Sequence, residues 1–282
     1  MNMKKALICL SIVGILMLCV PNITAASTSN YSITFHDNTR HTGDNMLMMR
    51  NSAPNDQLKW NSVTKGVLSS SATFNGIVYV GSWDNNVYAL DATTGTKVWN
   101  YTTGNLVESI PAVANGIVYV GSDDHNVYAL NAMTGAKVWN YTTGNIVTSS
   151  PKVANGIVYV GSVDHNVYAL NAMTGAKVWN FKTRDFGESS PAVAGGVVYV
   201  GSWDDNIYAL NAMAGTQIWN YTTRGWVISS PTIANGIVYV GSLDHNIYAL
   251  NATTGMKLWN YKTGGFVNSS PAVANVRSML GV

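Results

Sequence analysis

"PKVANGIVYVGSVDHNVYALNAMTGAKVWNFKT", Pro151 to Thr183, carries the fold in outline. It breaks into four strand-length pieces and three turns. PKVA is a short strand. Asn155-Gly156 suits a tight hairpin, because both central positions of a type I′ turn need positive φ. IVYVGS is an apolar strand, and VDHN is a second turn. VYALNA alternates Val167, Ala169 and Asn171 with Tyr168, Leu170 and Ala172, the period of a strand. MTG is a third turn, with Gly175 able to take the left-handed position of a bulged loop. AKVWNFKT is the fourth strand. No stretch offers ten residues of helical periodicity.

The pattern recurs on a fixed ruler. YVGS begins at Tyr79, Tyr119, Tyr159, Tyr199 and Tyr239, always forty residues apart, and Trp99, Trp139, Trp179, Trp219 and Trp259 keep the same spacing. Gly121 to Asn140 and Gly161 to Asn180 differ only at Asp123 versus Val163. Four short antiparallel strands per repeat predict an all-β fold, a β-propeller of four-stranded antiparallel blades, with five full repeats and split partial strands at both ends. Each blade is too small to bury both faces alone. A large residue at one place in each fourth strand fills the gap to the next blade, so the five periodic Trp residues, with Trp60 before them, read as structural wedges.

Composition bounds the rest. The chain has 282 residues, 47% hydrophobic and only 11% charged, with a net charge of +2. That is too apolar for disorder and too weakly charged for nucleic acid. Lys4 and Lys5 precede an apolar run from Ala6 to Val20, broken at Pro21 and followed by small residues, which reads as a signal peptide over residues 1–26. An uncleaved N-terminal anchor is the alternative and the one membrane contact expected. Both cysteines, Cys9 and Cys19, lie in this segment, so the exported part has no thiol for a disulfide, metal or nucleophile.

At "ALDATTGTKVWNYTTG", Ala89 to Gly104, the chain resembles the PQQ-like (pyrroloquinoline-quinone-type) repeat, A-x-D-x-x-T-G-x-x-x-W. All five units carry it, with Asn131, Asn171, Asn211 and Asn251 in place of the Asp and Ala214 in place of the Thr. "FHDNTRHTG", Phe35 to Gly43, resembles the lead-in of secreted and archaeal cell-surface members. The resemblance implies a propeller and two functional classes: quinone-dependent dehydrogenases, and scaffolds such as the barrel-assembly lipoprotein. The dehydrogenases use a quinone clamp, often a vicinal Cys pair, with a Ca²⁺ site and a catalytic Asp. No such Cys pair or oxygen cage is visible here, so no cofactor and no metal are expected. The Gly-His and terminal Trp-Asp signature of the WD40 propeller is absent.

The ends are fragments. "DQLKWN", Asp56 to Asn61, reads as a lone fourth strand closing a lead-in over residues 27–60. The repeats fill residues 61–275, and "SSPAVAN" supplies a lone first strand, with the middle two strands missing. Residues 276–282, VRSMLGV, match what a single-base deletion makes of a coding stretch for Gly-Lys-Val-Tyr-Val-Gly-Ser, so a frameshift is one expectation for this tail and a natural short terminus the other. The ring is expected to close with five or six blades or to remain an open arc.

Repeat-invariant positions explain packing, and positions that vary are better placed for recognition. The second turn begins with Trp83, Asp123, Val163, Trp203 or Leu243. The connection between blades carries Leu106, Ile146, Phe186, Trp226 or Phe266, with Glu108, Glu188, Arg184, Asp185 and Arg224 nearby. In an up-and-down blade both lie on one face. The candidate binding rim is therefore Trp83, Trp203, Phe186, Trp226, Phe266, Arg184, Arg224 and Glu188, suited to a surface protein or a glycan. The alternative is that the apolar members only pack between blades. His125, His165 and His245, and the Asp-x-Asn turns from Asp84 to Asp244, read as turn chemistry. Sequons at Asn30, Asn100, Asn140, Asn220, Asn251 and Asn268 allow glycosylation. The chain reads as an exported, non-catalytic scaffold at the cell surface. A degenerate oxidoreductase or a truncated fragment of a longer propeller is the alternative.

Overall fold

The computed structural model describes residues 31–36, 45–51, 58–64, 66 and 69–273. The leader at 1–26 and the tail at 276–282 lie outside them. Among the described residues there are strands and turns and no helix. Three strands come first: β1 (Tyr31–His36), β2 (Asn45–Asn51) and β3 (Leu58–Thr64), an antiparallel sheet in the order β1-β2-β3. Five four-stranded antiparallel sheets follow, at 72–102, 112–142, 152–182, 192–222 and 232–262, each in simple up-and-down order.

Local chemistry sets each blade. In the third blade, Asn155 and Gly156 take φ of 50° and 75°, as the hairpin requires, and Gly175 takes 73°. A bulge falls between Ala169 and Leu170 opposite Trp179 and Lys177, and the same shift recurs in every blade. His125, His165 and His245 occupy the left-handed position of the second turn, shared with Asn85 and Asp205. Asn, Asp and His tolerate that conformation better than most residues, so these histidines are turn residues.

Both faces of an inner blade are buried, because a neighbour stands on each side. Ile117, Tyr119, Val127, Ala129 and Trp139 of the second blade pack against Val158, Val160, Tyr168, Leu170 and Ala172 of the third. The same residue classes meet at the other three junctions. The first strands of successive blades lie beside one another, as strands nearest a propeller axis do.

Two latches lock each junction. At the third turn, the Tyr79, Tyr119, Tyr159 and Tyr199 hydroxyls donate to the carbonyls of Ala132, Ala172, Ala212 and Ala252 at 3.0–3.1 Å. The indole N–H groups of Trp99, Trp139, Trp179 and Trp219 donate to the same four oxygens at 2.9–3.0 Å. The third-turn glycine of the next blade lies on the indole: a Cβ at Gly175 would stand 2.7 Å from the Trp139 ring. At the second turn, Asp124 Oδ2 accepts from Tyr128 Oη at 2.6 Å and from the Gly104 N–H of the preceding blade at 2.7 Å. Burial alone would raise the Asp124 carboxyl. Tyr128, Gly104 and Asn126 outweigh it and hold the group below its ordinary value.

Two expectations change. Leu58–Thr64 is not a lone strand. It pairs with β2, with Met49 opposite Trp60 and a shift between Met49 and Arg50. That is the register of Ala89 opposite Trp99 with its shift between Ala89 and Leu90. The sheet β1-β2-β3 thus matches the second, third and fourth strands of a blade, so the middle strands are present at the N-terminal end. The strand also runs across the boundary expected at residue 60. The second change concerns the wedges. Trp99, Trp139, Trp179 and Trp219 are each 8% exposed, but Trp259 is 46% exposed, because no blade follows it among the described residues.

The wedge account predicts unequal costs. Trp139→Ala should destabilise the fold by about 3–5 kcal/mol, as a large-to-small change in a packed junction does. Trp259→Ala should cost about 1 kcal/mol or less, as at a surface site. Denaturant midpoints of the two variants measure this, and equal losses would refute it.

Candidate partner-binding rim

The second turns and the connections meet on one face, as expected. Each connection is stitched to the turn of its own blade and to that of the next. Val147 N–H donates to Ser122 O at 3.2 Å, and Val163 N–H donates to Ile146 O at 3.1 Å. Trp203 N–H donates to Phe186 O at 3.1 Å and Leu243 N–H to Trp226 O at 2.9 Å. Close approach makes this possible: a Cβ on Gly121 would meet the Val147 carbonyl oxygen at 2.5 Å.

This stitching gathers part of the candidate set. His165 and Phe186 have ring centroids 5.1 Å apart, Phe186 meets Trp203 edge-on at 5.1 Å, and Trp203 stacks on Trp226 at 4.4 Å with 13° between planes. Phe186 and Trp203 are half-buried, whereas Trp226 is exposed. Phe266 is 70% exposed and touches only the His245 ring edge-on among aromatic groups. Trp83 is exposed at the first blade, where its N–H donates to Gly66 O at 2.8 Å, and has no ring contact with the others. Arg184 and Arg224 are exposed, and their backbone N–H groups bind Asp204 at 2.9 Å and Asp244 at 3.0 Å. These backbone bonds are the second-turn latch of the third and fourth junctions. A cleft of about 770 Å³ is lined by Arg224, Asp244, His245, Lys257 and Lys262 among others.

Beside the aromatic row sits a group of acids that repeat logic alone underweights. Glu108 raises the carboxyls of both Asp123 and Glu188, so the three are electrostatic neighbours although they come from different blades. Asp123 Oδ1 is buried with no hydrogen-bond partner, as is Thr148 Oγ1. The Trp203 indole N–H faces Glu188 without closing a regular hydrogen bond. Burial pushes the Asp123 carboxyl up to about 6, with Glu108 and Asp124 adding to it and His125 opposing. Glu188 is raised for the same first cause, burial. The one signal in sequence was Asp123 itself, the sole difference between two otherwise identical twenty-residue stretches.

An acid raised in the folded state binds its proton more tightly there than in the unfolded chain. Its contribution to stability is present below the unfolded pKa and is lost as pH rises toward 6. Asp123→Asn should therefore stabilise the protein at pH 7 by about 1 kcal/mol, the shift being discounted for partial solvent screening. At pH 4 it should change little. Unfolding midpoints at the two pH values measure the difference.

The fold is shared with solved structures. BamB from Moraxella catarrhalis aligns with a TM-score of 0.74 at 19% identity, covering 87% of this chain and 77% of that one. The computationally designed Ika8 protein aligns with a TM-score of 0.74 at 16% identity, covering 86% and 78%. The quinohemoprotein alcohol dehydrogenase ADHIIG from Pseudomonas putida HK5 aligns with a TM-score of 0.60 at 22% identity, covering 70% of this chain and 42% of that one. No curated protein is similar in sequence. The quinone of such dehydrogenases is a tricarboxylate, and the mutually repelling acids Glu108, Asp123 and Glu188 do not fit it. A family model described as outer membrane protein assembly factor BamB matches residues 50–180 and again 163–280. The chain therefore belongs to that family, the PQQ-like repeat β-propellers.

Proposed function

We propose that this protein is an exported, non-catalytic scaffold that holds another extracytoplasmic protein on the rim formed by its second turns and blade connections. The observation that carries the reading is the aromatic row Phe186–Trp203–Trp226, built from positions that vary between repeats. The polar groups that recur in every repeat have structural work. Asp84, Asp124, Asp164, Asp204 and Asp244 each accept a hydrogen bond from the hydroxyl of the Tyr four residues on. Aromatic rings edged by Arg184, Arg224 and Glu188 have the composition of a protein contact centre with a polar rim. The leader-like segment, the sequons and the family's assembly-factor member all fit an extracytoplasmic scaffold at the cell surface.

Trp226 and Phe266 are exposed, so changing both removes the Trp203–Trp226 stack but no buried core contact. A photo-crosslinking residue placed at Trp226 in the producing cell should trap a discrete protein partner. Trp226→Ala combined with Phe266→Ala should weaken that partner's binding at least tenfold, about 1.4 kcal/mol, with the unfolding transition still cooperative and lowered by no more than loss of the one exposed stack, about 1 kcal/mol. A glycan partner would instead show as array binding lost in the same double variant. The competing enzymatic reading predicts alcohol- or sugar-dependent dye reduction once quinone and Ca²⁺ are added. The scaffold gives no turnover.

A further inference from the structure

The cleft between the fourth and fifth blades differs from its counterparts in charge and in hydrogen bonding. The end of the fourth blade's outer strand, Tyr221 to Arg224, lines one side, and Asp244, Asn246, Lys257 and Lys262 of the fifth blade line the other. Arg224, Lys257 and Lys262 are all exposed there. The one carboxylate, Asp244, is already committed. Its Oδ1 accepts from the Asn246 N–H and side-chain amide, and its Oδ2 from the Tyr248 hydroxyl and the Arg224 backbone N–H. Three cations thus stand against one carboxylate, and none of the three forms an ion pair among the described residues. Lys257 Nζ is tethered, donating to Asn260 Oδ1 at 3.1 Å. Burial raises the Tyr221 and Tyr248 hydroxyls, and the Arg224 charge opposes it in both. The guanidinium therefore lies within electrostatic reach of this ring pair, whose centroids are 5.6 Å apart.

The second difference is an acceptor. In the first, second and fourth blades the amide oxygens of Asn86, Asn126 and Asn206 each accept twice. One bond comes from an outer-strand Asn at 3.0–3.1 Å, the other from the hydroxyl of Thr102, Thr142 or Thr222 at 2.7 Å. In the fifth blade Asn246 Oδ1 accepts only from Asn260 Nδ2, at 2.9 Å, because Lys262 stands in the threonine's place. An amide oxygen has two acceptor positions, so one is open to a hydroxyl donor. No other cleft combines these features. The third blade has Lys182 beside Asn166, but Gly144 stands where Arg224 does. The cleft before the fourth blade, about 480 Å³, has Lys182 and Arg184, but Thr222 already donates to Asn206.

We infer that this cleft binds a unit of an acidic saccharide, its carboxylate or sulfate held by Arg224, Lys257 and Lys262 and a ring hydroxyl donating to Asn246 Oδ1. A guanidinium and two ammonium groups supply charge-assisted hydrogen bonds to such an anion. The need for a hydroxyl donor separates a saccharide from an acidic peptide, whose ionised Asp and Glu side chains only accept. The volume, about 770 Å³, falls within the range of small-ligand sites, roughly 300–1,000 Å³. None of Phe186, Trp203 and Trp226 lines the cleft, so the site stands apart from the partner-binding row.

The test titrates the full chain with tetragalacturonate, its methyl ester, a sulfated galactose tetramer and tetraglutamate, by calorimetry at low salt. A carboxylated or a sulfated saccharide should bind, and the tighter of the two names the anionic group. Lys262→Thr returns a hydroxyl to Asn246 and removes a charge, so it should weaken that binding about tenfold or more, at an unchanged unfolding midpoint. Arg224→Gln should weaken it similarly, since the backbone latch to Asp244 is kept. Lys182→Thr makes the same substitution at the equivalent place in the third blade and should leave binding unaltered. Failure of both acidic saccharides to bind overturns the inference, as does equal binding of the methyl ester or an equal loss in Lys182→Thr. Tetraglutamate binding as tightly assigns the cleft to an acidic peptide and overturns it too. Trp226→Ala with Phe266→Ala should leave saccharide binding unchanged. A loss in that variant would put the saccharide on the rim and overturn this site, whereas the protein partner at the rim stands or falls separately.

Discussion

One carbonyl per repeat holds the array together. The alanine that opens each third turn accepts from both the Tyr hydroxyl and the Trp indole of the blade before it. Both donors are buried, and a buried donor left without an acceptor costs about 1–3 kcal/mol. The indole adds the burial of about 150–250 Å². The next blade must also bring a glycine, because a side chain there would enter the indole ring. Donors and acceptor belong to different repeats at constant sequence separation, so the forty-residue period is a spatial requirement of the latch. It also gives the array a direction: each blade supplies donors forward and an acceptor backward.

That direction separates what can vary from what cannot. Asn replaces Asp at positions 131, 171, 211 and 251 at no structural cost, since either oxygen caps the third turn: Asn131 Oδ1 takes the Met133 and Thr134 N–H groups as Asp91 Oδ1 takes those of Thr93 and Thr94. The Asp of the second turn is different, because its second oxygen reaches back to the preceding blade. Freedom is left at the first residue of that turn and in the connection. Those are the places where rings of unlike size and the acids Glu108, Asp123 and Glu188 gather. Asp123 and Thr148 keep polar atoms unsatisfied there, a local cost that packing elsewhere offsets.

Strand order, turn types and wedge positions were legible in the sequence because each rests on a local rule read five times over: Asn-Gly for the hairpin, alternation for the strands, glycine for the bulged third turn. The shared face of turns and connections was legible from up-and-down topology. The stack of Trp203 on Trp226 was not, since they stand twenty-three positions apart and the backbone bond from Val227 N–H to Ser202 O, between their sequence neighbours, is what brings them together. The acid group was hidden for the same reason, as its members share no blade. The N-terminal sheet escaped because "YSITFH" and "NMLMMRN" carry none of the repeat's turn signals, and only the matching bulge opposite Trp60 reveals what they are.

The latch and the rim are coupled at the far end. Phe186 and Trp226 are held because the next blade's turn donates a backbone hydrogen bond to each, from Trp203 and Leu243. Phe266 stands at the equivalent place, and no next turn reaches it among the described residues, which is why it alone of the three is 70% exposed. In a linear array each repeat is stabilised by its interfaces, and a terminal repeat has one where inner repeats have two. Among the described residues the fifth blade is covered on one face only, and its rim residue is the least fixed of the three.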